Sequence, residues 1–245
     1  MKQGELLPST LAHCIIGWAV GDMQVALLNF TPEPEAIIAA AAKLSTSKIS
    51  AGELREKQTP KQVNSLLDQL ISSGHLSPFE HASFTFAIDG ISRATSHQLV
   101  RHRLASYTQQ SQRYVPLKEI NYVTPATIVK KGFEAKFQEM VRAEHELYQK
   151  MIEAGIPAED ARYILPNAVE TRLVMTMNAR ELMNACSLRL CSKAQWEIVR
   201  LFEMIKAEVQ KVAPRIGAEL NPKCYQMGYC DERESCGLFP TRDEA

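Results

Sequence analysis

Two short segments in which apolar and polar side chains alternate most constrain the fold of this chain. Residues 81–88 (HASFTFAI) alternate and are rich in aromatic side chains, and residues 171–177 (TRLVMTM) repeat the pattern far downstream. Alternation with a period of two is typical of β-strands that bury one face. Longer segments of helical periodicity surround them, without strict strand–helix alternation. The sequence therefore predicts an α+β fold in which an antiparallel sheet packs with long helices.

Local capping signals place several of these helices. Three capping boxes mark helix starts: Thr59 with Gln62, Asn178 with Glu181, and Ser192 with Gln195. Gly74 is expected to end the first of these helices. Further helices are predicted over residues 35–44, 92–100, 133–154 and 157–164.

The composition excludes several classes of function. The 28 Lys and Arg residues balance the 28 Asp and Glu residues in a chain of 245 residues. The protein as a whole therefore has no net positive charge that would attract nucleic acid or an anionic membrane. No apolar run approaches the ~20 residues of a membrane helix. Rossmann and P-loop glycine motifs, HExxH and GxSxG are absent. The run Leu11 to Val20 is expected to be a buried strand or an ordered N-terminal extension rather than a signal peptide.

The cysteine pattern favours reduced thiols. None of the six cysteines forms a CxxC pair, and Cys224, Cys230 and Cys236 are spaced C-x5-C-x5-C near the C-terminus. This pattern indicates a reducing, cytoplasmic setting. A structural zinc on the three tail thiolates is the alternative; since the spacing is looser than in the usual zinc patterns, no metal is expected.

One acid-free segment, residues 90–118, concentrates positive charge, and we call it the cationic window. It contains no Asp or Glu, but it holds Arg93, Arg101, Arg103, Arg113 and Lys118, with His97 and His102. Clustered guanidiniums need a compensating anion, and the Arg fork matches phosphate in a bidentate geometry. The window therefore predicts an anion site, unless carboxylates from elsewhere, such as Glu80 or Glu170, pair with its cations.

The spacing inside the window suggests how it binds. Arg101 and Arg103 do not share a helix face, so they can address two ligands or two parts of one. Ser111 and Arg113 share a face if the segment is extended, where a hydroxyl beside a guanidinium suits phosphate. Tyr107 and Tyr114 are either base-stacking or core side chains.

At this point the sequence resembles a known family. RHR at 101–103, then Ser111 after seven residues, then Arg113-Tyr114, is similar to the signature of the flavin-dependent thymidylate synthases. Further motifs follow in the family's order: GHLSPFEHASFTF (74–86), Ala161-Arg162, Leu165-Pro166, MNAREL (177–182) and LRLCSKAQWE (188–197). The resemblance divides the chain into an N-terminal extension (1–24), a flavin-dependent thymidylate synthase domain (25–222) and a Cys-bearing tail (223–245).

The resemblance implies an enzyme and its reaction. Members are α+β homotetramers with active sites built between subunits. They methylate dUMP to dTMP, with methylenetetrahydrofolate as carbon donor, FAD as hydride carrier and NADPH as reductant. The resemblance thus implies a cytoplasmic flavoprotein with no nucleic-acid or membrane partner.

The resemblance also implies site residues by position. The flavin ligands would be His75, Ser77, Arg101, His102, Arg103, Gln109, Asn178, Arg180 and Asn184. The dUMP ligands would be Gln98, Arg101, Gln110, Ser111, Arg113, Arg162 and Arg189. Arg189 would be the catalytic residue, because a guanidinium at the uracil edge stabilises the N3-deprotonated ring and makes C5 a better nucleophile.

Several of these residues have a structural alternative. Asn178 is equally suited to cap a helix. Arg180 and Asn184 are four apart and share a helix face, which by default is solvated. Cys186 and Cys191 are expected to be buried, apolar-like side chains. Many family members have Asn and an acidic residue where this chain has Thr108-Gln109, and some have His where it has Lys193. Both departures bear on flavin affinity.

A second class of function remains open on the residues alone. The cationic window and its tyrosines would also suit a nucleotide or single-stranded nucleic-acid binding module without catalysis. Such a module predicts colourless protein and salt-sensitive binding. The balanced net charge, together with Arg162 and Arg189, disfavours this alternative.

Overall fold

The fold is that of a computed structural model that describes residues 23–117 and 119–245. The segment Leu11 to Val20 and Lys118 lie outside the described residues. Four strands form one sheet in the order β1-β2-β4-β3: β1 Gln24–Phe30, β2 Ser83–Ser92, β3 Ala105–Gln109 and β4 Glu170–Asn178. The predicted α+β class with an antiparallel sheet is confirmed.

Helices account for most of the remaining chain. They are α1 Pro34–Leu44, α2 Ala51–Lys57, α3 Pro60–Ser72, α4 Arg93–Leu99, α5 Ala126–Lys130, α6 Glu134–Glu153, α7 Ala158–Ala161, α8 Ala179–Arg189, α9 Trp196–Val212, α10 Pro214–Glu219 and α11 Lys223–Met227. Short 3₁₀ helices cover Ser77–His81 and Arg162–Ile164. The capping box of Thr59 and Gln62 is confirmed at the start of α3. The predicted start at Ser192 is wrong, because Gln195 itself caps α9 by accepting the Ile198 N–H.

The described chain divides into two compact units. The sheet unit comprises residues 23–110 and 171–245, and the helical unit comprises residues 111–170. In the helical unit, α6 buries Val141 and Tyr148, and the Tyr148 hydroxyl accepts the Leu117 N–H at 3.2 Å. An antiparallel bridge between Tyr122 and Val169 joins the two ends of this unit.

Strand β2 of the sheet unit alternates buried and half-buried side chains. Phe84, Phe86 and Ile88 of β2 are fully buried, while the residues between them are half-buried. Helix α9 contacts β1 and β2 and contributes its own buried apolar side chains, Leu201 and Phe202 among them. This apolar layer, which two strands and a long helix share, is the core of the unit.

The register of β3 on β4 positions the residues that follow. The two strands pair antiparallel, with Ala105 opposite Met177 and Gln109 opposite Leu173. The beginning of β3 and the end of β4 therefore lie at the same end of the ladder. His102 precedes β3 and Glu181 follows β4, so this register brings the two into one region.

A buried carboxylate anchors the helix that leads into the cationic window. Glu197 of α9 accepts the Ser92 N–H and the Ser92 hydroxyl, each at 2.6 Å. The Ser92 hydroxyl oxygen in turn accepts the Thr95 N–H at 3.1 Å, which caps α4. Because Ser92 and Glu197 are almost completely buried, this contact fixes where α4 begins.

Replacing Gly217 by alanine is expected to destabilise the protein by about 1–3 kcal/mol. The added Cβ would lie 2.8 Å from the Gln210 Cα, a backbone atom of the neighbouring helix. Gly52→Ala is the matched control, since its Cβ would meet nothing within 4 Å and the change should stabilise by about 0.4–1 kcal/mol. Urea unfolding of the two variants measures both effects; equal stability would contradict the close packing of α10 on α9.

Candidate active site

An open cleft of 610 Å³ lies in the sheet unit beside the start of α8. Its walls come from the segment before β2, the start of β3, α8 and α11: Leu76, Glu80, Leu104, Asn178, Arg180, Glu181, Met183, Asn184, Ser187 and Gln226. Three of the predicted flavin ligands, Asn178, Arg180 and Asn184, line it. Sequence reasoning did not assign the other lining residues to the site, although Leu76 and Glu80 lie within the quoted motif GHLSPFEHASFTF.

Local structure explains why the three predicted residues meet. Asn178 ends β4 and caps α8 by accepting the Glu181 N–H at 2.9 Å, which confirms its predicted capping role. Arg180 and Asn184 are four residues apart on α8 and both face the cleft. The cleft therefore combines a helix N-terminus, a guanidinium and side-chain amides, all of which suit an anionic, hydrogen-bonding ligand.

Glu80 pairs with Arg180 across this cleft. The predicted alternative had Glu80 neutralising the cationic window, and the structure instead directs it to α8. Both side chains are about half exposed, so the ion pair contributes little stability. A ligand anion can therefore replace Glu80 as the partner of Arg180.

A row of hydrogen-bonded polar side chains leads inward from the cleft wall, and within it Glu181 and His102 are buried. The His102 Nδ1 atom lies 3.3 Å from Glu181 Oε1, and the Arg189 Nε–H donates to His102 Nε2 at 3.0 Å. Asn184 donates to the other Glu181 oxygen at 3.1 Å. Arg189 also donates through Nη2 to the main-chain carbonyl of Gln98 at 3.4 Å. The row links α4, the RHR run and both ends of α8.

The environment of His102 disfavours its charged form. Burial lowers its pKa below the ordinary 6.5, and the neighbouring Arg189 lowers it further, against the opposing influence of Glu181. Burial likewise raises the pKa of Tyr107, whose hydroxyl donates to the carbonyls of Leu99 and His102. Tyr107 is thus a structural phenol that holds the backbone before β3.

The free energy of unfolding is expected to fall as the pH drops below 6.5, because unfolded His102 takes up a proton that the folded site rejects. A lowered folded-state pKa gives stability that is complete above the unfolded pKa of 6.5 and declines below it, by at most about 1.4 kcal/mol per pH unit. Urea titrations between pH 7.5 and 5.5 measure this slope. His102→Asn should reduce the slope and His75→Asn, which alters an exposed ring, should not; equal slopes would contradict the assignment.

The remaining flavin candidates of the sheet unit lie nearer the surface. Arg101, Arg103, His75 and Ser77 are exposed, and the His75 ring contacts the Ser73 hydroxyl at 3.2 Å. No described residue forms an ion pair with Arg101 or Arg103. Gln109 instead donates to the Thr171 hydroxyl of β4 at 3.0 Å, so its side chain is held against the sheet. Arg101 and Arg103 therefore retain their capacity for an external anion.

The helical unit gathers the predicted phosphate ligands around Glu159. Arg113 pairs with the Glu159 carboxylate, and Arg162 donates to its main-chain carbonyl at 3.1 Å. The Ser111 hydroxyl oxygen accepts the Arg113 N–H at 3.1 Å. The condition under which Ser111 and Arg113 would share a face is not met, because residues 112–114 form a turn rather than an extended segment.

The five cysteines that the structure describes are free thiols: Cys186, Cys191, Cys224, Cys230 and Cys236. Cys186 is fully buried, and burial raises its pKa to about 12, which confirms the predicted buried side chain. The same prediction is wrong for Cys191, which is only partly buried. Across residues 23–117 and 119–245, no group of three or more His, Cys, Asp or Glu side chains is arranged to hold a metal ion. The tail is folded, since it contains α11 and a bridge between Cys230 and Thr241.

Comparison with known proteins identifies the family. The sequence profile of the family described as "Thymidylate synthase complementing protein" matches residues 26–215. The chain belongs to this family. Among the helices that the structure describes, none is both long and apolar enough to cross a membrane.

Two curated relatives of this chain share the name of one enzyme. The "Flavin-dependent thymidylate synthase" of Geobacter sulfurreducens is 47% identical over 213 residues, which cover 86% of this chain and 91% of the relative. The protein of the same name from Clostridium tetani is 44% identical over 233 residues, 88% of this chain and 93% of the relative. The resemblance predicted from the ordered motifs is therefore confirmed.

A solved structure shares the fold. The UMP/dUMP methylase PolB from Streptomyces cacaoi, determined with 5-Br dUMP bound, superposes with a TM-score of 0.71 at 27% identity. The match covers 82% of this chain and 95% of that protein.

Proposed function

We propose that this protein is a methyltransferase that converts dUMP to dTMP, with methylenetetrahydrofolate as carbon donor, FAD as hydride carrier and NADPH as reductant. The similarity to flavin-dependent thymidylate synthases over 86% of the chain carries the proposal. The dUMP analogue bound by the structural relative supports the substrate. The side chains of both units supply the chemistry that these ligands require.

The cleft suits a flavin dinucleotide. Leu76, Leu104 and Met183 offer apolar surface for a planar ring, and Asn178 and Asn184 offer amide partners for its polar edge. The guanidiniums of Arg101, Arg103 and Arg180 suit the pyrophosphate, which no Rossmann turn is present to hold. When bound there, FAD would supply hydride transfer, with NADPH as the reductant. His75, Ser77, His102 and Gln109 complete the proposed flavin set.

Arg189 is the proposed catalytic residue. Its bonds to His102 and to the Gln98 carbonyl use only part of the donor capacity of the guanidinium. The remaining N–H groups would face the uracil edge and stabilise the negative charge of the N3-deprotonated ring. Gln98, Arg101 and Gln110 are proposed to contact the same nucleotide. The charge raises the nucleophilicity of C5, where the new bond forms.

Ser111, Arg113 and Arg162 are proposed to hold the dUMP phosphate. All three contact one another or Glu159 within the helical unit. Arg113 and Glu159 are about half exposed, so an arriving phosphate can displace the carboxylate. The phosphate then receives a bidentate guanidinium contact and a hydroxyl bond.

The proposed enzyme is a cytoplasmic homotetramer. The outer face of the sheet exposes large apolar side chains, with Leu28 57% and Val174 38% accessible, which supports association through this region. If the active sites lie between subunits, one subunit would supply the cleft and another would supply the proposed phosphate ligands around Glu159. Residues 25–222 are proposed as the catalytic domain, with 1–24 and 223–245 as extensions.

The direct test is the visible spectrum and the reaction. Purified protein is expected to be yellow, to release FAD on denaturation, and to release tritium from dUMP labelled at C5 only when NADPH and methylenetetrahydrofolate are present. Colourless protein that binds single-stranded nucleic acid in a salt-sensitive manner would overturn the proposal in favour of a binding module.

A further inference from the structure

Three side chains form a continuous hydrogen-bonded row: the carboxylate of Glu181, the imidazole of His102 and the guanidinium of Arg189. Glu181 and His102 are each only 5% exposed. A carboxylate lies on one side of the imidazole, at 3.3 Å, and a guanidinium lies on the other, at 3.0 Å. The sequence predicted that the Glu181 side chain would return to Asn178 in a capping box. The carboxylate instead contacts His102 and Asn184.

The row permits one tautomer of His102. Arg189 Nε is always a donor, so His102 Nε2 must be the acceptor and carries no proton. The proton of the neutral ring is therefore on Nδ1, where it donates to Glu181 Oε1. Asn184 occupies the other carboxylate oxygen at 3.1 Å and holds the carboxylate in place. The surrounding groups on other elements are Tyr107 and Phe202, the latter with its ring centroid 6.0 Å from the imidazole.

The same row determines where the guanidinium points. Arg189 is the last residue of α8, and a long side chain there would otherwise sample many rotamers. Its Nε–H bond to His102 and its Nη2–H bond to the Gln98 carbonyl fix the plane of the fork at two points. If His102 carried its proton on Nε2, that proton would oppose the Arg189 Nε–H and the contact would be lost.

We propose that Glu181 is a positioning residue, which fixes the Nδ1–H tautomer of His102 and through it the orientation of the Arg189 guanidinium. The inference rests on the proposed function only for its catalytic consequence. Glu181 does not need to touch substrate or flavin for this role. His102, implied by the resemblance as a flavin ligand, acts here through its buried ring as the link between carboxylate and guanidinium.

The role of Glu181 in fixing the His102 tautomer can be tested by NMR, without measuring enzyme activity. Selective ¹⁵N labelling of histidine and arginine, with the His102 signal assigned by its loss in His102→Asn, is expected to show a neutral His102 ring protonated on Nδ1. In Glu181→Gln the amide can donate to Nδ1 as well as accept from it, so we expect the Nε2–H tautomer to become populated and the Arg189 ¹⁵Nε signal to shift. Glu80→Gln, which removes an exposed carboxylate on the same cleft, should leave both signals unchanged.

The catalytic part is tested by kinetics on the same variants. Glu181→Gln is expected to lower kcat by about 10–100-fold, the range for groups that orient a functional ligand, with KM for dUMP and FAD content changed little. In an Arg189→Ala background the same change should cost almost nothing, because the two act in series.

Each outcome decides the inference. An Nε2–H tautomer in the unmodified protein, or unchanged His102 and Arg189 signals in Glu181→Gln, would overturn it. A shifted tautomer with unchanged kcat would overturn the positioning role. An unmodified protein with the expected tautomer but no activity on dUMP would refute the proposed function and leave the Glu181 geometry supported. If Glu181→Gln does not fold, the tautomer of His102 in the unmodified protein still tests the inference, and an unchanged Arg189 Nε signal in His102→Asn would overturn the link between imidazole and guanidinium.

Discussion

Arg189→Ala is expected to lower kcat for dTMP formation by about 10²–10³-fold, the usual cost of removing one group that stabilises developing charge. Without the guanidinium, the N3-deprotonated uracil has no compensating positive charge, and its C5 becomes a weak nucleophile. The change should appear mainly in kcat, since the phosphate contacts proposed for Ser111, Arg113 and Arg162 are untouched. Tritium release from C5-labelled dUMP measures the effect.

Two further variants serve as comparisons for the effect of Arg189→Ala on kcat. Arg189→Lys retains the charge but loses the planar fork and its Nε donor, so its activity should fall between those of Arg189→Ala and the unmodified enzyme. Arg172→Ala removes an exposed arginine of β4 whose partner Asp89 lies 3.7 Å away, and it should leave kcat unchanged. Full activity in Arg189→Ala would refute the assigned role in ring ionisation.

Glu197→Ala is expected to destabilise the protein by about 2–3 kcal/mol and to reduce activity as well. The substitution leaves the buried N–H and hydroxyl of Ser92 without their acceptor, so the start of α4 loses its anchor. Helix α4 carries Gln98, whose carbonyl holds Arg189, and it leads directly into Arg101. The free energy of unfolding in urea and kcat should therefore fall together.

The matched control for this effect lies on the same helix. Glu208 pairs with Lys211 at the surface of α9, and Glu208→Ala should change stability by less than about 1 kcal/mol. Glu197→Gln keeps one acceptor oxygen and should lose less stability than Glu197→Ala. A Glu197→Ala protein as stable as the Glu208→Ala protein would show that the Ser92 contact is not the anchor.

Local sequence signals predicted the elements that depend on neighbours a few residues away. The alternation of residues 81–88 and 171–177 predicted β2 and β4, and Thr59 with Gln62 predicted the start of α3. The four-residue spacing of Arg180 and Asn184 predicted that they share one helix face, and both line the cleft. These successes rest on periodicity and capping, which act within one or two turns of chain.

Strand β3 and the contacts of Glu159 with Arg113 and Arg162 were not predicted, because they depend on residues far apart in the chain. Residues 105–109 are mostly polar and carry no strong strand signal, and they become extended because they pair with β4. Glu159 meets Arg113 and Arg162 through the folding of the helical unit, and its partners lie on both sides of α6 in the sequence. Nothing in the spacing of these residues indicates that they converge.

The sequence by itself determined the fold class, the family and the residue types of the site, because these depend on composition, periodicity and ordered motifs. Only the tertiary structure decided what each side chain does. The antiparallel register of β3 on β4 brings His102 beside Glu181, and the length of α8 returns Arg189 to the same imidazole. Such contacts form between residues far apart in the chain, where hydrogen-bond geometry and burial, rather than local propensity, select the partners.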